Sequence, residues 1–222
     1  MKAFTSILKL ALIALMFSVT SLHAQWNTLT HDATINRGIN DLCFISNTGY
    51  AVGSRSDGFS FGSRGLIYKT TDGGQTWNTI TLPLMIGTDS VMSLKSVQFI
   101  TPVNGFAVAY CYSTNGSAGI YYGVVLKTTD GGATWVSQFS MKNQINFSTG
   151  QTTNFDHVFF SDMYHGVISG SRTVGANAYD GIDYLTNNGG VNWSISNVWT
   201  GGGTQAHASF FTSNSTGSIV GG

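Results

Sequence analysis

Short runs of β-branched and aromatic residues alternate with glycine-containing turns through most of the chain. One such pattern occurs four times, at residues 44–53, 99–109, 159–170 and 210–221. Each copy has an apolar run, a tight turn with glycine, and a second apolar run that contains small residues. Short apolar runs bounded by turn residues predict β-strands rather than helices. The small residues predict that the second strand packs closely against its neighbours.

A second pattern interleaves with the first and contains a fixed turn motif. Residues 69–77 read KTTDGGQTW, residues 127–135 read KTTDGGATW, and residues 185–193 read LTNNGGVNW. Equivalent positions lie 58 residues apart, and a constant period of this size is typical of repeat architectures. Because aspartate can accept hydrogen bonds within its own turn and glycine readily takes positive φ, the motif predicts a hairpin between two short strands. The two patterns together predict four strands per repeat.

The turn motif resembles the Asp-box, or bacterial neuraminidase repeat, Ser/Thr-x-Asp-x-Gly-x-Thr-Trp. Its longer form is most similar to the photosystem II stability/assembly factor-like family, and secondarily to the sialidase and xyloglucanase families. The resemblance implies an all-β fold, a β-propeller of four-stranded antiparallel blades with the motif between the third and fourth strands. It also implies a structural role for the motif residues, which are Asp72, Gly74, Thr76, Trp77, Asp130, Gly132, Thr134, Trp135, Asn188, Gly190 and Trp193. Where Asn188 replaces aspartate, we expect the hairpin to persist with weaker hydrogen bonding.

The repeats predict one propeller domain over residues 25–222. Its blades are expected at approximately residues 39–81, 94–139 and 155–198, with an incomplete blade at 207–222. Residues 26–30 match residues 77–81, so they predict an outermost strand that has no blade of its own. About three complete blades, with partial ones at both ends, predict that the chain is truncated.

Residues 1–24 predict a secretory signal peptide. Lys2 and Lys9 flank an apolar run from Leu8 to Val19, and Ala24 supplies a small residue at the expected cleavage point. The run is short for a membrane span, so we expect a secreted or periplasmic protein without one. Without this segment the chain has 8 basic residues (10 − 2) and 10 acidic ones. This balance, without a basic patch, argues against nucleic acid as a partner.

Loop lengths distinguish the two ends of the predicted blades. The motif turns and the turns between first and second strands are short and lie at one end, the short-turn end. The loops at residues 54–64, 112–121 and 171–181, and those between blades at 82–94, 140–155 and 198–205, lie at the other end. Binding residues usually lie on long loops held by a rigid scaffold. This second end, the long-loop end, is therefore the predicted recognition surface for a protein partner or a carbohydrate.

The candidate binding residues at the long-loop end are polar residues near the starts of first strands and aromatic residues of the loops. They are Lys95, His157, His207, Phe59, Phe61, Tyr121 and Tyr122. The polar residues could form a ligand site or be ordinary strand ends, and the aromatic rings could stack on a ligand or pack over the blades. We expect no cofactor, and the spacing of histidine, aspartate and cysteine predicts no metal site. Cys43 and Cys111 could form a disulfide or remain buried thiols.

A glycoside hydrolase is the main alternative function. The resemblance to sialidases implies a tyrosine nucleophile assisted by glutamate, but the sequence contains no glutamate. An inverting, xyloglucanase-type enzyme needs two carboxylates about 6.5–9.5 Å apart. Asp41 and Asp156 are weak candidates for that pair because both begin predicted first strands, and the remaining pool is Asp89 and Asp162. The composition and the resemblance favour a non-catalytic protein-binding or assembly scaffold.

Overall fold

The computed structural model describes residues 36–56, 63–80, 85–114, 119–142, 152–175, 178–200, 206–211 and 217–221. The predicted signal peptide, the strand at residues 26–30, and Phe59 and Phe61 lie outside the described residues. The described residues form strands, which are β1 (Asn36–Ile45), β2 (Thr48–Ser56), β3 (Arg64–Thr70), β4 (Asn78–Thr79), β5 (Met85–Ile86), β6 (Asp89–Phe99), β7 (Gly105–Ser113), β8 (Ile120–Thr128), β9 (Val136–Ser140), β10 (Thr153–Phe160), β11 (Gly166–Gly175), β12 (Ala178–Thr186), β13 (Ser194–Trp199), β14 (Ala206–Phe211) and β15 (Gly217–Gly221).

The strands form antiparallel meanders. Sheet 1 has the order β1-β2-β3-β4, sheet 2 the order β5-β6-β7-β8-β9, and sheet 3 the order β10-β11-β12-β13, while β14 pairs with β15. The prediction of an all-β fold built from four-stranded antiparallel units is therefore confirmed. Within the described ranges, no helix is long or apolar enough to span a membrane.

Sheet 2 carries an additional short strand that the repeat pattern did not predict. Gly87 takes a φ of 62°, which allows a tight turn in which Met85 pairs with Ser90 and Ile86 with Asp89. As a result the sheet begins at Met85, inside the segment that the sequence predicted as a long loop between blades.

The sheets stack face to face, and two apolar cores fill the spaces between them. Sheet 2 is buried on both faces because its strands alternate apolar side chains to each side. Ala107, Ala109 and Cys111 pack toward sheet 1, whereas Phe106 and Val108 pack toward sheet 3. This double burial explains why the strands read as continuous apolar runs.

The strands β1, β6, β10 and β14, here called the inner strands, lie next to one another, and each contains a β-bulge at the same place. The bulged residues are Asn40, Lys95, Asp156 and His207. A small residue sits opposite each bulge because the backbone approaches closely there. A Cβ atom on Gly53 would lie 1.8 Å from the Gly38 carbonyl oxygen, and one on Gly170 would lie 2.0 Å from that of Asn154. This contact explains the small residues seen in the sequence.

Candidate recognition site

The aspartates of the turn motif are bound within their own turns. Asp130 Oδ1 accepts hydrogen bonds from the Thr134 amide at 2.9 Å and from Thr128 Oγ1 at 2.8 Å, and Oδ2 accepts one from Thr134 Oγ1 at 2.6 Å. The side-chain bond from Thr134, with the other bonds, lowers the pKa of Asp130 to about 2. The same bonds occur around Asp72 and lower its pKa well below the ordinary range. These carboxylates therefore stabilise the hairpin.

The third copy of the motif forms the same hairpin with asparagine in place of aspartate. Asn188 Oδ1 accepts hydrogen bonds from the Asn192 amide at 2.9 Å and from Thr186 Oγ1 at 3.0 Å. Gly189 and Gly190 take φ values of 68° and 81°, as the glycines of the other two copies do. The amide oxygen can replace the carboxylate because both accept hydrogen bonds from the same donors.

The motif tryptophans make the same ring contact in all three sheets. Each indole packs edge-on against the phenylalanine at the end of the inner strand of its own sheet. The pairs are Phe44–Trp77 at 5.8 Å, Phe99–Trp135 at 5.9 Å and Phe160–Trp193 at 5.9 Å between ring centroids. Repetition of the same packing identifies the three segments as copies of one structural unit.

The motif lysines connect neighbouring sheets, a role that the sequence did not indicate. Lys69 Nζ donates to the Gly131 carbonyl at 2.8 Å, and Lys127 Nζ donates to the Gly189 carbonyl at 3.0 Å. Each ammonium group also lies over an aromatic ring, that of Tyr50 at 5.3 Å or of Phe106 at 5.1 Å. The short-turn end is thus held together by the motif.

Asp41 and His157 occupy a bridging position in the inner strands. The side chain after each of the first three bulges accepts a hydrogen bond from a backbone amide of the next inner strand. The three bridges run from Val97 N to Asp41 Oδ2 at 2.9 Å, from Val158 N to Ser96 Oγ at 3.4 Å, and from Ser209 N to His157 Nδ1 at 3.2 Å. Asp41 also accepts bonds from Ser96 Oγ and its own neighbour Leu42 N, both at 2.8 Å. Burial lowers the pKa of His157, which suits a neutral acceptor nitrogen.

The bulged residues bring opposite charges near one another along the inner strands, and Lys95 and Asp156 lie within β6 and β10, not at the strand starts where the sequence predicted them. Burial raises the pKa of Asp156, while the nearby charges of Lys95 and His207 act to lower it. The carboxylate is therefore flanked by two cationic or titratable groups from the adjacent inner strands. The predicted pair Asp41 and Asp156 thus lies at two different kinds of position, one bridging and one bulged.

Three tyrosines form an aromatic cluster at the same end of sheet 2. The ring of Tyr121, which is 37 % exposed, stacks on Tyr110 at 5.0 Å with an interplanar angle of 3°. The ring of Tyr121 also contacts that of Tyr112, with 4.8 Å between the ring centroids. Tyr110 is paired with Ser93 and Tyr112 with Ser90, so the rings lie nearer the long-loop end of sheet 2 than the bulge at Lys95 does. Tyr110 was not among the candidates predicted from the sequence, although its i, i+2 spacing to Tyr112 predicts that both rings lie on the same face of the strand.

Tyr122 was predicted to bind ligand at the surface, but its side chain is buried, with 1 % exposure. Successive residues of a strand face opposite sides, so Tyr122 points into the core while Tyr121 points outward. Its hydroxyl donates to Asp89 Oδ2 at 2.6 Å, and Lys142 Nζ reaches the same oxygen at 2.6 Å. Burial raises the pKa of Asp89, but the bonds from Lys142 and Tyr122 outweigh it, and the pKa is lowered.

The remaining candidates lie apart from this cluster. Asp162, at the short-turn end, accepts hydrogen bonds from the amides of Tyr164 and His165, both at 2.7 Å, and from the His165 ring. Cys43 and Cys111 are free thiols, and burial raises the pKa of Cys111 to about 12. No group of three potential metal ligands is found in the ranges that the structure describes.

No protein-family model and no curated protein matches the sequence. Among solved structures, the chain is similar to the GH74 enzyme of Niastella koreensis, with a TM-score of 0.50 and 18 % identity over 83 % of this chain and 26 % of that chain. The sheets are blades of a β-propeller. Further similar structures are YCF48 bound to D1 peptide (TM-score 0.32, 14 % identity, 88 % of this chain and 78 % of that chain) and YCF48 from Cyanidioschyzon merolae (0.29, 14 %, 83 % and 77 %).

The likeness to the GH74 enzyme describes the fold alone and leaves the function open, because the sequence identity is 18 %. The chain spans 26 % of the GH74 enzyme with which it aligns. Since one propeller fold supports both enzymes and binding proteins, function has to be argued from the residues of the site.

Proposed function

We propose that this chain is a secreted or periplasmic, non-catalytic propeller module that binds a polypeptide partner at its long-loop end. The observation that carries the proposal is the aromatic cluster of Tyr110, Tyr112 and Tyr121 at the long-loop end of sheet 2. The similarity of the turn motif to Asp-box proteins of the photosystem II assembly factor-like family supports a binding or assembly role.

The chemistry of this surface suits a polypeptide better than a neutral sugar. Partly exposed tyrosine rings offer flat apolar area together with a polar hydroxyl, a combination that is enriched in protein interfaces. Lys95, Asp156 and His207 add charges of both signs in the inner strands. A polypeptide can match apolar contacts and both charges at once, whereas a neutral glycan can match only the rings.

The carboxylates support a binding role because most of them already have structural partners. Asp41 accepts bonds from the next inner strand, and Asp89 is paired with Lys142. The alternative function, a glycoside hydrolase, is favoured by one observation: burial raises the pKa of Asp156, as a general acid requires. Its second carboxylate would be Asp41, whose oxygens hold the inner strands together.

Matched variants at the two ends of the propeller test the proposal. The chain is immobilised, a periplasmic or secreted partner is captured and purified, and its affinity is measured for wild type, Tyr121→Ala and Tyr164→Ala. Tyr164 is a suitable control because it is 63 % exposed at the short-turn end. We expect Tyr121→Ala to weaken binding by at least about ten-fold, the effect of removing an aromatic anchor, and Tyr164→Ala to leave it unchanged.

Two results would contradict the proposal. If the two variants change the affinity equally, the partner does not bind at the tyrosine cluster. If the wild type hydrolyses xyloglucan and Asp156→Ala does not, the chain is an enzyme instead. The proposed localisation is tested by N-terminal sequencing of the mature protein, which should begin at Gln25.

A further inference from the structure

The three bridges between inner strands share one backbone geometry but use different acceptor groups. The acceptor is the Asp41 carboxylate between β1 and β6, the Ser96 hydroxyl between β6 and β10, and the His157 imidazole between β10 and β14. Carboxyl and hydroxyl oxygens keep an acceptor lone pair whether or not they carry a proton. An imidazole nitrogen has a single lone pair, and a proton that binds there removes it. Of the three bridges, only the one at His157 can therefore be broken by a proton.

The contacts of His157 determine which of its ring nitrogens accepts. The Ser209 amide donates to Nδ1 at 3.2 Å, and Ser209 Oγ lies 3.3 Å from the same nitrogen. A backbone amide can only donate, so Nδ1 carries no proton in this arrangement and the neutral ring holds its proton on Nε2. Ser209 is buried, and its hydroxyl also lies 3.4 Å from Ser169 Oγ. A proton on Nδ1 would therefore set two N–H groups against each other beside a buried side chain, and the amide would lose its partner.

The surroundings of His157 make the imidazole harder to protonate in the folded chain. Burial lowers its pKa, and the nearby Asp41 carboxylate opposes that shift only in part. The other charged or titratable groups on the strands around it are Lys95, Asp156, His207 and Asp183. Burial raises the pKa of Asp183 to about 7, so this carboxylate binds a proton of its own as the pH falls and does not stabilise the imidazolium. Because the unfolded chain binds the histidine proton more readily, the bridge should weaken as the pH falls below 6.5, the ordinary pKa of histidine.

We propose that the His157 bridge is an acid-sensitive joint between β10 and β14. At neutral pH the uncharged imidazole holds the Ser209 amide, and with it β14, against β10. In acid the imidazolium releases the amide, and this joint loosens while the joints at Asp41 and Ser96 stay closed. The device concerns how the sheets are joined and does not depend on the tyrosine cluster.

Amide exchange of the full chain, followed by NMR, tests the joint on three equivalent amides. These are the bridging amides of Val97, Val158 and Ser209. Exchange is measured at about pH 7.5 and about pH 5, on either side of the ordinary histidine pKa, and corrected for the intrinsic effect of pH on exchange. We expect the protection of Ser209 to fall at least about five-fold relative to the other two amides, the effect of losing one hydrogen bond. The ¹⁵N shifts of His157 at the higher pH should show a proton on Nε2 and none on Nδ1.

Two variants identify the group that titrates. His157→Asn keeps an acceptor, because its Oδ1 lies as many bonds from the backbone as Nδ1 does, but it does not titrate. The protection of Ser209 should be independent of pH in this variant. His207→Asn is the matched control, since it removes an exposed imidazole from β14 itself. The acid response should persist in that variant.

Several results would overturn the proposal. One is a protection of Ser209 that does not change between the two pH values in the wild type. Others are an acid response that survives His157→Asn, one that disappears in His207→Asn, or a proton on Nδ1 at the higher pH. The wild-type comparison of the three amides needs no variant, so it decides the question even if a variant fails to fold. Binding at the long-loop end is measured separately, so either proposal can fail without the other.

Discussion

Replacing Asp183 by asparagine should remove a large pH dependence from the stability of the chain. Burial raises the pKa of Asp183 from 3.8 to about 7, so the folded chain holds this proton more tightly than the unfolded chain does. The free energy of unfolding should therefore fall as the pH rises from about 4 to about 7, and level off above that range. A difference of about three pKa units corresponds to about 4 kcal/mol, as an upper value for this one group.

Urea unfolding followed by tryptophan fluorescence measures this effect, because Trp77, Trp135 and Trp193 are partly buried in the folded chain and become exposed on unfolding. Both proteins share all their other ionisable groups, including Asp156 and His157, so the informative quantity is the difference between wild type and Asp183→Asn at each pH. We expect the stability of the wild type relative to the variant to decrease by a few kcal/mol between about pH 4 and pH 8. A difference that stays constant across this range would refute the reasoning.

Three further predictions concern the packing of the sheets. Lys127→Met should lower the free energy of unfolding by about 1–2 kcal/mol in urea titrations, since it removes the bond to the Gly189 carbonyl and the contact over an aromatic ring. Gly170→Ala should cost about 1–3 kcal/mol or prevent folding, whereas Gly38→Ala, where a Cβ meets nothing within 4 Å, should have little effect in the same assay. Cys111 should resist iodoacetamide at about pH 8 until urea is added, because burial raises its pKa to about 12, and mass spectrometry would detect early alkylation.

The turn motif was interpretable from sequence because its bonds are local. Asp130 finds its hydrogen-bond partners at Thr128 and Thr134, inside the same nine residues. The period of 58 residues then indicated equivalent units, and the three tryptophan–phenylalanine pairs show that equivalence in space. Local bonding and repetition thus carried the prediction of the fold.

The site residues depend on register and burial, which the pattern alone does not determine. Alternation predicts that Tyr121 and Tyr122 face opposite sides of sheet 2, but it does not say which side is buried. Tyr122 is buried because it faces sheet 1. Asp41 bridges to Val97 through a contact between residues 56 apart in sequence. The short strand β5 depends on a turn at Gly87 inside a segment that reads as loop.

The central claim is that the long-loop end binds a partner while the turn motif holds the blades in shape. Amide hydrogen exchange of the chain, with and without its purified partner, tests this claim most directly. We expect new protection around Lys95 and from Tyr110 to Tyr121, with no change in the turns at Asp72 and Asp130. Protection confined to those turns, with none at the tyrosine cluster, would contradict it.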